Sequence, residues 1–414
     1  MLDFELVCSI YCILIHSQPQ MNVLIANIGS TSFKYRLFKM PEETVLTEGA
    51  AERIGQPGSE FPGYGSAIAS CLAKICGSGR TLANLSKLSA VGFKAVHAGP
   101  LTGAQIVDDR VLAAMEEFSF LAPAHNPPYV DAMRSFRAEL PQVPLVALFE
   151  TSLYEALDEA TTTYAVPYEW RERYGIRRYG FHGASHRFAS EWVQKELGRM
   201  NLRHISCHLG GSSSVAAIRS GTAVETSFGM SPQSGLPQGS RVGDIDAFAV
   251  LFVMKKLGIG VDEMASLLAR KSGLAGISGT NGDVRDLTSA AEHGSERARL
   301  ALEVFVRAVR HYIGAFLVEL GGLDVLTFSG GIGENSEEIR RAICKGLSSF
   351  GIELDEDRNH GARRGATISR PESSARILVV PTNEELVVAR AVTAVVRQAE
   401  MKKPEAASTA QRQP

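Results

Sequence analysis

Asn27-Ile28-Gly29-Ser30-Thr31-Ser32 directly follows the apolar run 23–26, and this pairing of an apolar run with a turn rich in glycine and hydroxyl groups decides the fold. Glycine lets backbone N–H groups converge on an anion, and serine or threonine hydroxyls add further donors. Similar turns recur after runs 205–207 and 325–328, as His208-Leu209-Gly210-Gly211-Ser212-Ser213-Ser214 and Ser329-Gly330-Gly331-Ile332-Gly333-Glu334-Asn335. Three such turns predict a nucleotide held by several loops, and hence phosphoryl transfer.

The segments after these turns differ. Residues 33–38 follow the first turn and residues 215–218 the second, and both runs are typical of strands, so each turn is predicted to close a hairpin. The third turn precedes an amphipathic stretch, 337–347, and Asn335 with Glu338 predicts the N-cap of a helix there. A Walker A loop would end in Gly-Lys-Ser/Thr, which the sequence lacks.

The repeated strand–turn–strand pattern indicates an internal duplication, and helical patterns between the strands indicate an α/β class. With 414 residues, two domains are expected. We predict an N-terminal lobe of residues 21–150 plus about 385–400 and a C-terminal nucleotide-binding lobe of 151–384, with the nucleotide in the cleft between them. Residues 1–20 are predicted to be a non-native or extension segment before Met21, and 401–414 a disordered tail.

Composition excludes several classes of partner. A net charge of −2 leaves no basic field for nucleic acid or an anionic membrane, and the apolar run 4–15 is too short to span a bilayer. The six cysteines show no C-x-x-C or zinc-type spacing, which favours reduced thiols in a cytoplasmic protein.

Further motifs carry a family resemblance from about Met21 to Arg397. They are His97-Ala98-Gly99-Pro100, Tyr179-Gly180-Phe181-His182-Gly183-Ala184-Ser185-His186, Gly239-Ser240-Arg241-Val242-Gly243-Asp244 and Asn383-Glu384-Glu385-Leu386. In this order they resemble the acetate kinase and short-chain acyl kinase (acetokinase) family. The resemblance implies two duplicated actin-like (ribonuclease H-like) lobes with an interdomain active-site cleft, a homodimer, and ATP/ADP with Mg²⁺. It also implies reversible in-line transfer of the ATP γ-phosphoryl group to a carboxylate, which gives an acyl phosphate.

A carboxylate acceptor defines what the catalytic residues must do. With a pKa of about 4.3 it is ionised at pH 7 and needs no base, so the site must supply positive charge and positioning. Arg241 suits this because guanidinium grips carboxylate or phosphoryl oxygens bidentately. The resemblance implies that Arg241 is catalytic and that His182 hydrogen-bonds the transferring phosphoryl group. The structural alternative for Arg241 is a surface arginine in a turn, and for His182 a packed histidine. We predict the packed role for His186.

The resemblance also implies the binding residues. Glu384, with Asn27, would hold Mg²⁺, although Glu384 equally suits the first turn of a helix. Lys34 is as compatible with a solvent-facing strand lysine as with a phosphate contact. The residues assigned to nucleotide binding are Asn27, Ser30, Ser32, Lys34, His208, Gly210, Gly211, Ser212, Asp283, Arg285, Gly331, Ile332, Gly333 and Asn335.

Four positions depart from the family pattern. Lys94 stands where the family has arginine and Glu150 where it has aspartate, and we predict that both remain catalytic as a compensating pair. Gly211 replaces asparagine, which removes a side-chain donor near the phosphates. Ala124 replaces leucine in the acyl pocket, predicted to contain Lys94, Val96, Ala124 and Pro232. A methylene in such a pocket is worth roughly 1–3 kcal/mol, so the enlarged pocket predicts propionate, butyrate or a larger acid.

Two other functions stay open at this level. A hydroxyl-directed sugar-type kinase would use Glu150 as a general base. A nucleotide-binding sensor without catalysis would fit the departures at Lys94, Glu150 and Gly211. The apolar helical face within 302–320 is compatible with a dimer contact or with core.

Overall fold

The computed structural model describes residues 19–402, which belong to two compact units. One unit comprises the chain up to Ser152 and from Glu384 onward, and the other comprises Leu153–Asn383. The predicted limits, 150 and 384, are close to these. The last helix runs to Met401, so the tail predicted from residue 401 does not begin there. Residues 1–18 and 403–414, which hold most of the predicted extension and tail, lie outside the described residues.

The first unit is built on a six-stranded sheet in the order β3-β2-β1-β4-β6-β5. Strands β1 to β3 form an antiparallel meander, β1 pairs with β4 and β4 with β6 in parallel, and β5 is an antiparallel edge strand. The strands are β1 Met21–Ile28, β2 Ser32–Met40, β3 Thr44–Glu52, β4 Ala90–Ala95, β5 Ala104–Ile106 and β6 Leu145–Phe149. The helices are α1 Tyr64–Ile75, α2 Asp109–Glu117, α3 Asn126–Glu139 and α15 Glu384–Met401.

The second unit has a five-stranded sheet in the order β11-β10-β7-β8-β9. Its strands are β7 Arg203–His208, β8 Ser214–Arg219, β9 Thr222–Thr226, β10 Val325–Ser329 and β11 Arg376–Val379. Its helices are α4 Glu159–Thr162, α5 Tyr168–Tyr174, α6 Gly183–Leu197, α7 Ala247–Leu257, α8 Val261–Arg270, α9 Gly273–Ser278, α10 Val284–Glu292, α11 Glu296–Leu320, α12 Gly330–Asn335, α13 Glu337–Cys344 and α14 Glu356–Asn359.

The two sheets share one topology, which confirms the predicted duplication and the α/β class. In each, an antiparallel three-strand meander contributes its first strand to the sheet centre, and two parallel strands follow on the other side. Among the strands of residues 19–402, β5 alone is an addition to this plan. The first two glycine turns therefore occupy equivalent places, between the first and second strand of each meander, as the hairpin prediction requires.

Both faces of the first sheet are covered. Alternate residues of β1 and β2, such as Leu24 and Phe33, pack with α1 and α3 in one apolar core. Helix α15 packs against β1 and β4. A Cβ at Gly92 of β4 would lie 2.6 Å from Val392 and 2.8 Å from Ile25, so glycine is needed there for α15 to approach the sheet.

The long helix α11 forms much of the core of the second unit. Its buried residues recur at helical spacing and include Ala298, Phe305, Val309, Ile313 and Phe316. They pack with Ile205, Leu326 and neighbouring strand residues. The apolar face within 302–320 is therefore core rather than a dimer contact.

Candidate active site

The first glycine turn is a tight connection between β1 and β2. The N–H of Gly29 donates to the carbonyl oxygen of Ser32 at 2.8 Å. Asn27 pairs across the hairpin with Lys34, so both side chains lie on one face of the sheet. Ser30 and Lys34 are exposed, and Ser32 is half-buried. The side chains assigned to this turn are thus accessible to a ligand.

Tyr129 of α3 supports this turn from within the first unit. Its hydroxyl donates to Asn27 Oδ1 at 3.4 Å and accepts the N–H of Ile28 at 3.2 Å. Burial raises the pKa of Tyr129 to about 12, although the nearby charge of Lys94 opposes this shift. Tyr129 therefore stays protonated at neutral pH and orients the amide of Asn27. Sequence reasoning missed this residue because its role depends on how α3 packs.

Lys94 links two carboxylates in the first unit. Its Nζ lies 3.2 Å from Glu150 Oε1 and 2.5 Å from Glu384 Oε2. Lys94 is near the end of β4, Glu150 directly follows the parallel neighbour β6, and Glu384 opens α15. Burial alone would lower the pKa of Lys94, but Glu384 and then Glu150 outweigh it, so the pKa is raised well above its usual value. The trio carries one net negative charge when all three groups are ionised.

The second and third turns meet through Leu209 in the second unit. The N–H of Leu209 donates to the carbonyl oxygen of Ser329 at 2.8 Å, and its own carbonyl accepts the N–H groups of Ile332 and Gly333 at 2.8 and 3.1 Å. Within the second turn, the N–H of Gly210 donates to Ser213 Oγ at 3.0 Å. These backbone hydrogen bonds therefore join the two turns.

The third turn differs from its prediction in detail. Residues Gly330–Asn335 form the short helix α12 instead of an open loop. The N-cap of the next helix is Ser336, whose Oγ accepts the N–H of Ile339 at 3.3 Å, rather than Asn335. Asn335 donates through Nδ2 to the carbonyl oxygen of Gly331 at 2.8 Å. The side chain of Asn335 is thus used within its own helix, and Ser336, one position later, caps α13.

A cavity of about 600 Å³ lies against these turns in the second unit. It is lined by seven of the residues assigned to nucleotide binding, namely Gly210, Gly211, Asp283, Arg285, Gly331, Ile332 and Asn335. The sequence did not assign Gln238, Thr288 and Glu338, which also line the cavity, to nucleotide binding. A Cβ at Gly211 would meet no heavy atom within 4 Å, so glycine at this departure from the family is not required by packing.

At one side of this cavity, Asp283 caps α10 and pairs with Arg285 at 2.6 Å. The hydrogen bond from Arg285 lowers the pKa of Asp283 to about 2. This side of the cavity therefore carries a fixed pair of opposite charges.

Arg241 lies on the loop between β9 and α7 and points at the second turn. Its Nη1 donates to Ser212 Oγ and to Gln238 Oε1, both at 3.2 Å. Gln238 is buried; it also accepts from Ser212 Oγ at 2.7 Å and donates to the carbonyl oxygen of Pro232 at 2.8 Å. Burial lowers the pKa of Arg241. Because arginine stays charged even so, a positive charge is held beside the turn.

The Arg241 loop is held tightly by backbone contacts. Gly273 has a φ of +58°, and a Cβ there would lie 2.1 Å from the carbonyl oxygen of Gln238 and 2.5 Å from that of Arg241. The N–H of Val242 donates to the carbonyl oxygen of Leu268 at 3.0 Å. Pro232, assigned to the acyl pocket, is buried beside this loop, whereas Val96 is half-buried and Ala124 exposed in the other unit.

His182 has an unusual backbone for a residue with a Cβ, with φ 58° and ψ 28°. It directly precedes α6, its Nδ1 lies 2.8 Å from Ser214 Oγ, and its ring centroid is 4.7 Å from that of His208. Such a conformation persists where the surroundings determine it, often at functional sites. The ring is thus held beside the second turn.

Comparison with known proteins extends over nearly the whole chain. The sequence model of the Acetokinase family matches residues 22–390. An acetate kinase of Treponema denticola is 40% identical over 397 residues, which is 91% of this chain and all of that one. An acetate kinase of Shouchella clausii is 39% identical over 89% of this chain and 98% of its own.

Solved structures give the same picture. The crystal structure of Porphyromonas gingivalis acetate kinase has a TM-score of 0.82 at 34% identity and covers 91% of this chain and all of its own. A propionate kinase from Francisella tularensis has a TM-score of 0.82 at 30% identity over 90% of this chain and 99% of its own. The chain therefore shares its fold with an acetate kinase and a propionate kinase over about nine-tenths of its length.

Proposed function

This chain belongs to the acetokinase family, and we propose that it transfers the γ-phosphoryl group of ATP reversibly to a short-chain carboxylate. It is a phosphotransferase with a carboxyl group as acceptor. The observation that carries the assignment of roles is the contact of Arg241 and Ser212 with one shared Gln238 beside a nucleotide-sized cavity. A hydroxyl-directed sugar kinase is not favoured, because the relatives are named as acetate and propionate kinases.

In the proposed step, a carboxylate oxygen attacks the γ-phosphorus while the bond to the β–γ bridging oxygen breaks, and ADP leaves with that electron pair. The acid is already ionised, so no proton has to be removed from it. Two anions must approach each other, and Arg241 supplies the charge that offsets their repulsion. His182 donates a hydrogen bond to the transferring group. Lys94, which is held by Glu150 and Glu384, is proposed to supply a second positive charge that attracts the carboxylate of the acid.

The cavity beside the second and third turns is proposed to hold the nucleotide. The backbone N–H of Gly211 suits a phosphate oxygen because neither Gly210 nor Gly211 has a side chain that would block its approach. Ile332 offers an apolar contact for the base, and Asp283 and Asn335 offer polar groups for the ribose. This arrangement supports ATP or ADP over pyrophosphate.

Mg²⁺ is the metal we propose, and the donors present fit it. Glu384 and Asn27 offer carboxylate and amide oxygens, and the Lys94 trio retains one net negative charge. Among residues 19–402, no three His, Cys, Asp or Glu side chains form a metal-binding group. That fits an ion held by one or two protein oxygens together with phosphates and water. When bound, it would neutralise phosphate charge.

The proposed activity is tested with a hydroxamate assay on the full chain. ATP, MgCl₂, hydroxylamine and a panel of short acids are supplied, and any acyl phosphate is trapped as a coloured hydroxamate. We expect a signal with at least one carboxylate and none without ATP. Absence of hydroxamate for every acid, with ATP still bound, would favour the sensor alternative. ADP formation with sugars instead would favour the hydroxyl-directed kinase.

The acid preference gives a prediction at Ala124. Because alanine leaves more room than leucine, kcat/KM should be higher for propionate or butyrate than for acetate. Ala124→Leu should shift the acetate-to-propionate ratio toward acetate by about 10–100-fold, since the one methylene by which these acids differ is worth roughly 1–3 kcal/mol. Ala73→Leu, at an exposed helix position of the same unit, should leave the ratio unchanged. A wild-type optimum at acetate contradicts the prediction.

Helix α7 is proposed as the contact between two copies of the chain. Phe248, Leu251 and Phe252 lie at helical i, i+3 and i+4 positions and are 79%, 56% and 60% exposed, and no residue of α7 is buried. An apolar patch of this kind marks an interface, and a two-fold dimer needs one self-complementary surface. The helix also begins directly after the Arg241 loop, at its N-cap Asp246.

A substitution on α7 tests this contact. Phe252→Asp should weaken self-association by about 100-fold or more, because a charge would be buried at an apolar interface. Light scattering after size-exclusion chromatography should then give half the wild-type mass. Phe120→Asp, at a 58% exposed phenylalanine of the other unit, is the control. A monomeric wild type, or an unchanged mass for Phe252→Asp, contradicts the proposal.

Within residues 19–402, every helix is too short or too polar to span a membrane. A cytoplasmic location stays a prediction.

A further inference from the structure

Three buried side chains and the half-buried His182 form a continuous series of hydrogen bonds that ends at the ring of His182. Ser206 Oγ lies 2.8 Å from His186 Nδ1, His186 Nε2 lies 2.8 Å from Ser214 Oγ, and Ser214 Oγ lies 2.8 Å from His182 Nδ1. Ser206, His186 and Ser214 are at most 1% exposed. Water therefore cannot replace these contacts without a structural change.

Regular secondary structure holds each member in place. His186 lies on the first turn of α6 and His182 directly precedes that helix, and both rings reach the same hydroxyl, Ser214 Oγ. Ser206 is in β7 and Ser214 opens β8, its antiparallel partner. The pairing of these two strands therefore fixes the positions of both hydroxyl groups. The series of hydrogen bonds runs from the interior of the sheet to His182, directly before α6.

Counting protons gives the direction of donation along this series of hydrogen bonds. A serine hydroxyl carries one proton, and a neutral imidazole carries one N–H and one acceptor nitrogen. Among the described residues, the only side chain or backbone group hydrogen-bonded to Ser206 Oγ is His186 Nδ1. A buried hydroxyl proton left without an acceptor is unfavourable, so Ser206 donates to Nδ1 of His186. The proton of His186 is then on Nε2, and it is donated to Ser214 Oγ.

The same reasoning extends to the last link. Ser214 Oγ accepts from His186, so its own proton is available for Nδ1 of His182, its other partner. Nδ1 of His182 is therefore an acceptor, and the ring proton is on Nε2. The opposite direction would put the proton of His182 on Nδ1 and would leave the buried Ser206 proton unbonded.

We propose that Ser206, His186 and Ser214 are positioning residues that hold His182 as the neutral tautomer protonated on Nε2. Resting on the proposed function, this gives His182 a fixed N–H donor for the transferring phosphoryl group without reorganisation during the reaction. The three residues need no contact with substrate. They act through the ring of His182, whose left-handed backbone aims it.

The direct test is the tautomeric state of His182 in the wild-type protein. Two-bond ¹H–¹⁵N correlation spectra of protein labelled with ¹⁵N-histidine distinguish a protonated ring nitrogen from an acceptor nitrogen, and His182→Asn assigns the signal by its loss. At neutral pH we expect an acceptor Nδ1 and a protonated Nε2. A protonated Nδ1, in either the other tautomer or the imidazolium ion, would overturn the proposal. This measurement does not depend on turnover.

Kinetics provide the second test. Ser214→Ala should lower kcat by about 10-fold and Ser206→Ala by less, with KM for ATP and for the acid unchanged, because only a positioned proton donor is affected. Ser190→Ala, at another buried serine of α6, should leave both constants unchanged. Wild-type kcat in Ser214→Ala would overturn the positioning role. If wild-type protein forms no hydroxamate with any acid, the proposed function fails while the tautomer result still stands or falls separately.

Discussion

Replacing Arg241 with alanine is expected to lower kcat for acyl phosphate formation by about 10³-fold, equivalent to ~4 kcal/mol of transition-state stabilisation. The guanidinium is held beside the second turn by Ser212 and Gln238, and it opposes the repulsion between two anions in the transition state. That repulsion is greatest as the oxygen and phosphorus approach. We therefore expect kcat to fall more than KM for ATP rises.

Arg241→Lys separates charge from geometry. Lysine keeps the positive charge but lacks the planar fork that contacts two oxygens at once, so its activity should lie between those of wild type and Arg241→Ala. Arg363→Ala removes an exposed arginine of the same unit that the proposed machinery does not use, and its kcat should equal that of wild type. The measurement is initial-rate kinetics in the hydroxamate assay, with the melting temperature as a check on folding. An Arg241→Ala enzyme within 5-fold (about 1 kcal/mol) of wild type would rule out the assigned role.

The turns could be predicted from sequence because their signals are local. Alternation in residues 33–38 and a glycine-rich turn before it are enough to specify a hairpin, and the structure has that hairpin between β1 and β2. The duplication followed because the same signals recur at residues 205–218. The third turn has no such local signal, since the helix Gly330–Asn335 is held by hydrogen bonds from Ile332 and Gly333 to Leu209, which directly follows β7 and is distant in sequence.

The members of the site that sequence missed depend on tertiary contacts. Gln238 is one of several polar residues in a glycine- and proline-rich loop, and nothing local indicates that its amide joins Ser212, Pro232 and Arg241. Ser206 lies inside an apolar strand run, where a serine is ordinarily read as core. Only the pairing of β7 with β8 and the packing of α6 reveal its link to His182.

The same limit applied to the apolar helices. Residues 302–320 and 247–257 are both apolar and helical, and hydrophobicity alone does not separate core from interface. The structure buries the first against β7 and β8 and leaves the second uncovered in one chain. Which helix is covered depends on the order of strands in the sheet, a non-local property. Of the two alternatives that the sequence left open for 302–320, the structure has core, and the dimer contact that we propose lies on α7.

Replacing Lys94 with methionine is expected to reduce the free energy of unfolding at pH 7 by about 3–5 kcal/mol, because two carboxylates would be left in a largely buried place without their cation. Glu150 is only 4% exposed, so water cannot solvate the charge that is left. Lys39→Met, which breaks a surface pair with Glu42, is the control and should cost ~1 kcal/mol or less. Denaturant unfolding of the wild type and of each variant, followed by circular dichroism, provides the measurement.

The pH dependence distinguishes lost charge pairing from lost packing. Because Glu384 and Glu150 raise the pKa of Lys94, the stabilisation that it gives to wild type is fully present below the ordinary lysine pKa and is lost only as pH rises through the raised value. Between pH 5 and 9 this contribution is constant. In Lys94→Met, the deficit should instead shrink toward acid pH, because protonation removes the uncompensated negative charge. Lys94→Arg keeps the cation and should recover most of the stability, whereas a deficit that is equal for both variants and independent of pH would mean that packing, not charge, is what Lys94 contributes.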